Sequence, residues 1–342
     1  MLYWLRGPVN ACGWDERMNE RNELIALVDL GGSQIRVAIS RPSGEFVLRK
    51  ARPTPAREGP EAILRALLAT TREAITAAGG QVSAISVAAP GPLDPKRGVI
   101  VAAPNLAGWV NVPLVDIMKG ELGLPVLLGN DANLAALGEQ AFGAARGHKD
   151  VIYLTISTGI GGGVIVDGKL LVGSHGYGAE LGHNSIMHDG PRCGCGNYGC
   201  IEALASGTAI ARMAREALER GERSIIASIA EGDPSRITAR VVAEAAQAGD
   251  ALAREIYRQA GYYLGVGIVN FLYTFDPTVV VLGGGVTKAG PLLFDPVIET
   301  VRKRAPQAYW EHCAIVPAAL GDDVGLMGAL AYYLSESRPQ GS

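Results

Sequence analysis

A chain of 342 residues is long enough for two domains with separate cores, and 48% of its residues are hydrophobic. Its formal net charge is only −3, and no basic block could follow a nucleic-acid backbone or an acidic membrane surface. We therefore expect a globular cytoplasmic protein whose partner is a small molecule. Residues 1–22 are broken by Gly, Pro and charge, which predicts a loose extension rather than a secretion signal or a membrane span.

Two stretches are typical of β-hairpins. In LIALVDLGGSQIRVAIS (24–40), an apolar strand, a glycine turn and an alternating strand follow one another, and residues 151–173 repeat the design. The repetition predicts two related halves that face each other across a cleft. A third strand with a glycine end is expected at 277–286. Helical periodicity fits the segments 59–78, 132–145, 205–219, about 250–273 and 323–335, and the alternation of strands and helices predicts an α/β fold.

The segment GHNSIMHDGPRCGCGNYGCIE (182–202) contains three of the five cysteines. In a reducing compartment, such clustering favours a metal site over a disulfide. Cys193, Cys195 and Cys200 are candidate thiolate ligands, and His183 and His188 compete for the fourth position. A sulfur-rich tetrahedral set selects zinc. The alternative is free cysteines in a glycine-rich loop.

Glycine turns after buried strands can bind phosphate, because glycine lets backbone N–H groups approach the oxygens closely. Such turns are expected at 31–33, 158–161 and 283–285. None opens a helix with the spacing of a dinucleotide fold. GVIVDGKL (163–170) resembles a phosphate loop but ends on Leu170, which lacks the metal-binding hydroxyl. Each turn alone is more often ordinary turn chemistry, whereas three in this order favour phosphate binding.

A family resemblance follows from the order of seven motifs: DLGGS, PNLAGW, GNDANLAALGE, STGIGGG, GAELGH, CGCGNYGCIE and LGGGV. Over residues 24–335 the chain resembles the ROK family of bacterial sugar kinases and repressors, and most of all the glucokinases among them. The resemblance implies the actin-like, hexokinase-type ATPase fold, with two RNase H-like domains and a hinge. The expected domains are 23–130 plus 321–338 and 131–320.

The resemblance also implies phosphoryl transfer from ATP to a hexose, with glucose first and fructose, mannose, allose or an N-acetylhexosamine as alternatives. Polyphosphate is an alternative donor, and a non-catalytic sugar-sensing regulator is an alternative function. The family's repressors carry a DNA-binding domain before the first glycine turn. We expect none here, hence no nucleic-acid partner, and we expect a homodimer or homotetramer.

Individual roles come from the same resemblance. The base of the reaction is Asp131, although the residues alone favour an ordinary helix N-cap there. Because the family places its histidine ligand ten residues before the first cysteine, His183 becomes the fourth zinc ligand and His188 faces solvent. The zinc is then structural, and the second nitrogen of His183 can bind a sugar hydroxyl.

The remaining predicted site residues fall into three groups. The sugar-binding residues are Asn105, Asn130, Asp131, Glu180, His183 and Glu202. The ATP-binding residues are Gly31, Gly32, Ser33, Thr158, Gly159 and Gly161 near the phosphates, and Gly283, Gly284 and Gly285 near adenosine. Asp29 is expected to organise the Mg²⁺ that accompanies ATP.

Overall fold

The computed structural model describes residues 23–103 and 105–337, so the predicted extension at 1–22 lies outside the described residues. In chain order the strands are β1 (Leu24–Leu30), β2 (Gln34–Ser40), β3 (Phe46–Pro53), β4 (Val82–Ala89), β5 (Leu93–Asp94), β6 (Val99–Ala102), β7 (Val110–Val112), β8 (Val126–Asn130), β9 (Val151–Ile156), β10 (Ile160–Val166), β11 (Lys169–Leu170), β12 (Val279–Gly283) and β13 (Ala314–Pro317).

The α-helices are α1 (Pro60–Ala77), α2 (Leu114–Leu122), α3 (Asp131–Phe142), α4 (Ile201–Ala205), α5 (Gly207–Glu219), α6 (Ile226–Ile229), α7 (Ala239–Gln247), α8 (Ala251–Phe275), α9 (Pro291–Arg304), α10 (Gln307–Trp310) and α11 (Val324–Glu336). Short 3-10 helices cover Leu181–His183, Pro234–Arg236, Gly285–Ala289 and Gly321–Asp323. Each segment predicted to be helical contains a helix. Among the described residues, none of the helices combines the length and the apolar character that a bilayer crossing requires.

The chain divides into two compact units. Of the described residues, the first unit contains those up to Lys149, then Lys169–Ala179, then Ala319 onward, and the second contains Asp150–Gly168 and Glu180–Ala318. The sequence placed the first boundary after residue 130, but α3 belongs to the first unit because it packs along α11. That packing joins residues nearly two hundred positions apart, and no local pattern reveals it.

The first unit is built on a five-stranded sheet in the order β3-β2-β1-β4-β8. β1 and β2 form the predicted antiparallel hairpin, whereas β4 runs parallel to β1 and β8 runs parallel to β4. Every residue of β1 is buried, as expected for a central strand covered on both faces. Its inner residues Ala26 and Val28 join Ile63 and Leu67 of α1 in one apolar cluster.

Strand register brings polar residues to one edge of this sheet. Asp29 on β1 pairs with Ala88 of β4, and the neighbouring Ala89 pairs with Asn130 at the end of β8. Because carboxyl ends of parallel strands meet at the same edge, the Gly31 turn and the start of α3 emerge on that side. A smaller antiparallel sheet, β5-β6-β7, also belongs to this unit.

The second unit repeats the arrangement. β9 and β10 form the predicted antiparallel hairpin, and β12 runs parallel to both β9 and β13. Gly283, the last residue of β12, pairs with Thr155 near the end of β9. The turn after β9 and the turn after β12 therefore leave the sheet at the same edge. Side-chain caps start the surrounding helices, with Ser206 before α5, Thr238 before α7 and Asp250 before α8.

The packing of α11 offers a test of the first unit's core. Leu330 on this helix is fully buried, so Leu330→Ala should lower the free energy of unfolding by about 2–5 kcal/mol. Glu336→Ala, an exposed change on the same helix, should alter it by less than about 0.5 kcal/mol. Urea unfolding followed by circular dichroism measures both variants. Equal stability of Leu330→Ala and the parent would contradict the burial of α11.

Candidate active site

The predicted ligands of the cysteine segment lie together in the second unit. One ligand atom from each of His183, Cys193, Cys195 and Cys200 lies within 4.8 Å of the other three. His188 lies outside this group, and its side chain is 96% exposed, as expected. Antiparallel bridges between Ser185 and Cys200 and between Arg192 and Tyr198 fold the segment back on itself.

The spacing of these four atoms matches a tetrahedral metal site. Zn–S bonds of about 2.3 Å and Zn–N bonds of about 2.05 Å place neighbouring ligand atoms about 3.6–3.8 Å apart in a tetrahedron. The Sγ atoms of Cys195 and Cys200 are 3.8 Å apart, and His183 Nδ1 is 3.6 Å from Cys193 Sγ. These two separations agree with a tetrahedral site, so the donor set is compatible with a zinc ion.

Protonation of the cluster is linked to metal binding. Burial raises the pKa of the Cys193 thiol to about 12, so this thiol stays neutral at pH 7 when no cation is near. Because a metal ion binds thiolates, its entry must release protons from the cluster. The ring nitrogen of His183 that faces Cys193 is Nδ1, which leaves Nε2 on the far side of the imidazole.

Two carboxylates lie beside the cluster. Glu202 sits in the first turn of α4, two residues after Cys200, and its Oε1 accepts a weak bond from Cys193 Sγ at 3.5 Å. Glu180 precedes the 3-10 helix that contains His183, and the carbonyl of Glu180 accepts the backbone N–H of His183 at 3.1 Å. Loss of hydration raises the pKa of Glu180. The charge of His183 opposes this rise in pKa, and the charge of Glu202 adds to it.

Glu202 also contacts the turn of the second hairpin. Its Oε2 accepts the backbone N–H of Ile160 at 2.9 Å. A Cβ at Gly159 would lie only 2.3 Å from this oxygen, so any side chain at this position would displace the carboxylate of Glu202. The sequence predicted Gly159 for phosphate contact and did not reveal this constraint, because the bond joins residues 42 positions apart.

A cavity of about 970 Å³ lies in the second unit, at the sheet edge where β9 and β12 end. Its walls come from the turn after β9, the start of α5, the segment 237–247, α8 and the 3-10 helix that begins at Gly285. The residues that line the cavity include Thr158, Thr208, Arg215, Thr238, Tyr257 and Gly285. Of the predicted ATP-binding residues in this unit, Thr158 and Gly285 line the cavity, whereas Gly283 is buried at the end of β12.

The start of α5 is tied to the turn after β9. The backbone N–H of Gly207 donates to the carbonyl of Ser157 at 2.7 Å, and Thr208 Oγ1 donates to the carbonyl of Thr158 at 2.8 Å. The N-terminus of a helix thus lies beside the predicted phosphate turn, where its dipole favours an anion. Burial raises the pKa of Tyr257 to about 12, and its hydroxyl donates to the carbonyl of Ala239 at 2.9 Å.

In the first unit, Asp29 lies at the end of β1 and is buried. Burial raises the pKa of its carboxyl, while the guanidinium of Arg36 acts in the opposite direction. The two side chains form an ion pair at 2.5 Å, and the hairpin register explains it, because Asp29 and Arg36 are cross-strand partners. The sequence analysis did not predict a role for Arg36, although the predicted hairpin places Arg36 opposite Asp29.

The first glycine turn is also in the first unit. A Cβ at Gly32 would lie 3.3 Å from Cβ of Asn105, which brings this predicted sugar-binding residue next to the turn. Asn105 and Ser33 are both exposed.

Asn130 and Asp131 stand where β8 gives way to α3. Asn130, rather than Asp131, is the N-cap: its Oδ1 accepts the backbone N–H groups of Ala132 and Asn133 at 3.0 and 3.1 Å. Asp131 is the first helical residue, and its Oδ1 accepts the N–H of Ala132 at 2.7 Å. The prediction from the residues alone that Asp131 is the helix N-cap was therefore wrong by one position. The cap occupies the side-chain oxygen of Asn130 and orients its amide.

The chain matches the model of the ROK family over residues 25–336 and belongs to that family. Glucokinase from Thermotoga maritima is 37% identical over 302 residues, which cover 88% of this chain and 94% of that protein. A xylose repressor from Caldicellulosiruptor bescii is 30% identical over 315 residues, which cover 90% of this chain and 77% of the repressor.

Solved structures agree with the family assignment. The crystal structure of a ROK hexokinase from Thermus thermophilus has 39% identity and a TM-score of 0.79, and the match covers 92% of this chain and 99% of that chain. A ROK family glucokinase from Streptomyces griseus, in complex with glucose and AMPPNP, has 36% identity and a TM-score of 0.79 over 90% of this chain and 98% of that chain. The expected α/β fold of the hexokinase type is confirmed.

The capping role of Asn130 can be separated from any role in ligand binding. Asn130→Ala removes the acceptor for two backbone N–H groups and should destabilise the protein by about 1 kcal/mol. Asn130→Asp keeps a capping oxygen and should retain parental stability, since a carboxylate is favourable at a helix N-terminus. Denaturant unfolding of both variants decides the matter, and equal loss in the two would argue against the cap.

Proposed function

We propose that this chain transfers the γ-phosphoryl group of ATP to a hexose, with the 6-hydroxyl of glucose as the acceptor. The observation that carries the proposal is the convergence of Glu180, His183 and Glu202 beside the Cys3His cluster. Carboxylates and an imidazole offer directional partners to sugar hydroxyls, and a site built on such bonds rejects molecules that lack one hydroxyl. Kinship with glucokinases supports the choice of glucose.

Within this reaction, Asp131 takes the proton of the attacking hydroxyl. It occupies the first position of α3, where the helix dipole favours a negative charge. A carboxylate is a weak base, but in a loose phosphoryl-transfer transition state the hydroxyl proton leaves late, so a weak base is sufficient. Asn130 and Asn105 would add donors and acceptors for the sugar from the same unit.

Sugar orientation depends on the cluster. With Nδ1 of His183 directed at the cysteines, Nε2 is available to a sugar hydroxyl. A zinc ion held by His183, Cys193, Cys195 and Cys200 would fix the ring's tautomer and position and take no part in the bond-breaking step. Glu202, the second residue after the last cysteine, is positioned by the same segment and by Ile160.

For the nucleotide, we assign the 970 Å³ cavity to adenosine and the adjoining turn of Ser157, Thr158 and Gly159 to the phosphates. The α5 N-terminus supports this, because the helix dipole favours negative charge there. Gly31, Gly32 and Ser33 would contribute backbone N–H groups from the first unit. Mg²⁺ neutralises phosphate charge when bound, and Asp29 can offer it the carboxylate oxygen that Arg36 does not hold.

A sugar-sensing regulator is the second candidate, and the match to a xylose repressor favours it. One measurement separates the two functions. A kinase releases ADP from ATP when glucose is present, whereas a non-catalytic regulator releases no ADP. The same assay with polyphosphate and with fructose, mannose, allose and N-acetylhexosamines defines donor and acceptor. The homodimer or homotetramer and the cytoplasmic location stay predictions.

Asp131→Asn tests the base. The substitution keeps the size and the helix position of the side chain but removes the proton acceptor, so kcat should fall by about 10²- to 10⁴-fold. Glucose affinity, measured by calorimetry, should stay within a few-fold of the parent. Retained turnover would remove Asp131 from the role of base, whatever the substrate.

Cys195→Ser tests the link between metal and sugar. Loss of one of three thiolates should lower the zinc content, the melting temperature and the affinity for glucose together, because the segment that holds His183 and Glu202 loses its anchor. His188→Ala, a change outside the cluster, is the matched control and should retain all three. Zinc content is measured by plasma mass spectrometry; normal sugar binding in a zinc-free protein would break the link.

A further inference from the structure

A carboxylate with no role in the proposed chemistry is fully buried in the middle of α3. Glu139 has 0% of its surface exposed. Its Oε1 accepts the backbone N–H groups of Ala319 and Leu320, each at 3.0 Å. Its Oε2 accepts those of Ala144 at 2.7 Å and Ala319 at 3.1 Å. Backbone groups from two distant parts of the chain thus converge on a single side chain.

These donors lie on two of the four chain connections between the units, those after Lys149 and Ala318; the other two follow Gly168 and Ala179. Ala144 belongs to the segment that leaves α3 and reaches the boundary after Lys149, and Ala319 and Leu320 are the first residues after the chain returns at Ala318. The neighbouring Gln140 binds the first connection alone, since its Nε2 donates to the carbonyl of His148 at 2.9 Å. Glu139 binds both of these connections.

This arrangement requires a hydrogen-bond acceptor at both terminal atoms of the Glu139 side chain. An ionised carboxylate has two accepting oxygens, whereas the amide of glutamine has one oxygen and one N–H donor group. In Glu139→Gln, the side-chain amide N–H group would therefore lie against a backbone N–H group. Two hydrogen-bond donors would then face each other with no acceptor between them. The packing is equally strict, because a Cβ at Gly143 would lie 2.0 Å from Oε2.

We propose that Glu139 is a positioning residue for phosphoryl transfer. It fastens these two chain connections to α3, whose first residue is Asp131, so that the connections and the proposed base move as one body. The proposed base and the proposed nucleotide cavity belong to different units. Turnover requires the base, the sugar hydroxyl and the phosphate in one near-attack geometry, so it depends on how firmly these connections are held more steeply than sugar binding does, to which proposed hydrogen bonds from each unit contribute. This inference rests on the proposed kinase function.

Glu139→Gln is the test, assayed at a temperature well below its melting transition. We expect kcat to fall by about 10- to 100-fold while the dissociation constant for glucose stays within about threefold. Amide hydrogen exchange should accelerate at Ala144, at Ala319 or at Leu320 and not within α3. The matched control is Ser86→Ala, which removes a buried 2.7 Å hydrogen bond to the carbonyl of Ala329 in the same unit but touches neither connection.

The control should lose stability and keep its kcat. Parental kcat in Glu139→Gln, or an equal loss of kcat in Ser86→Ala, would overturn the proposal, because the effect would then be absent or merely one of stability.

Exchange in the parent protein keeps the test decisive even if the glutamine variant does not fold. Ala319 is exposed and lies outside the helices and strands, so its amide should exchange fast unless Glu139 holds it. Slow exchange at Ala144, Ala319 and Leu320 supports the clamp, and fast exchange at all three in an active parent refutes it. A parent that fails to phosphorylate glucose would refute the proposed function instead.

Discussion

Between β11 and α5 the chain has only short helices and two isolated bridges, and three thiols and one imidazole gather there. Their convergence adds to the backbone hydrogen bonds that fold this segment back on itself. The residues that would recognise a sugar are attached directly to this cluster. Glu202 follows the last cysteine by two positions, and Glu180 shares a turn with His183. Disturbance of the cluster therefore reaches every polar group in its neighbourhood.

The two five-stranded sheets share one strand order but carry different chemistry at their edges. In the first, the edge holds an ion-paired aspartate, a capped helix start and a glycine turn. In the second, it holds a cavity and the N-terminus of α5, whose helix dipole favours a polyanion. The same backbone design thus supplies a carboxylate side and an anion-binding side, as a phosphoryl-transfer enzyme requires.

The sequence was informative wherever the signal was local. Period-two and helical patterns located both hairpins and the main helices, and the spacing of the cysteines located the cluster, since its members lie within eighteen positions of one another. Long-range contacts escaped it. The boundary predicted after residue 130 could not take account of the packing of α3 against α11, and no local pattern singles out Glu139. A buried glutamate that binds backbone groups 180 positions away has no local pattern.

Assembly of the first unit has an unusual order along the chain. Its last helix, α11, packs on β1 and β4 and on α3, yet it begins at residue 324, after the whole second unit. During synthesis the second unit has all its strands before the first has its final helix. Until then the apolar surface that α11 covers remains accessible to other unfinished chains, and such exposed surface promotes aggregation. Ribosome-associated chaperones would bind this apolar surface of the first unit in the nascent polypeptide.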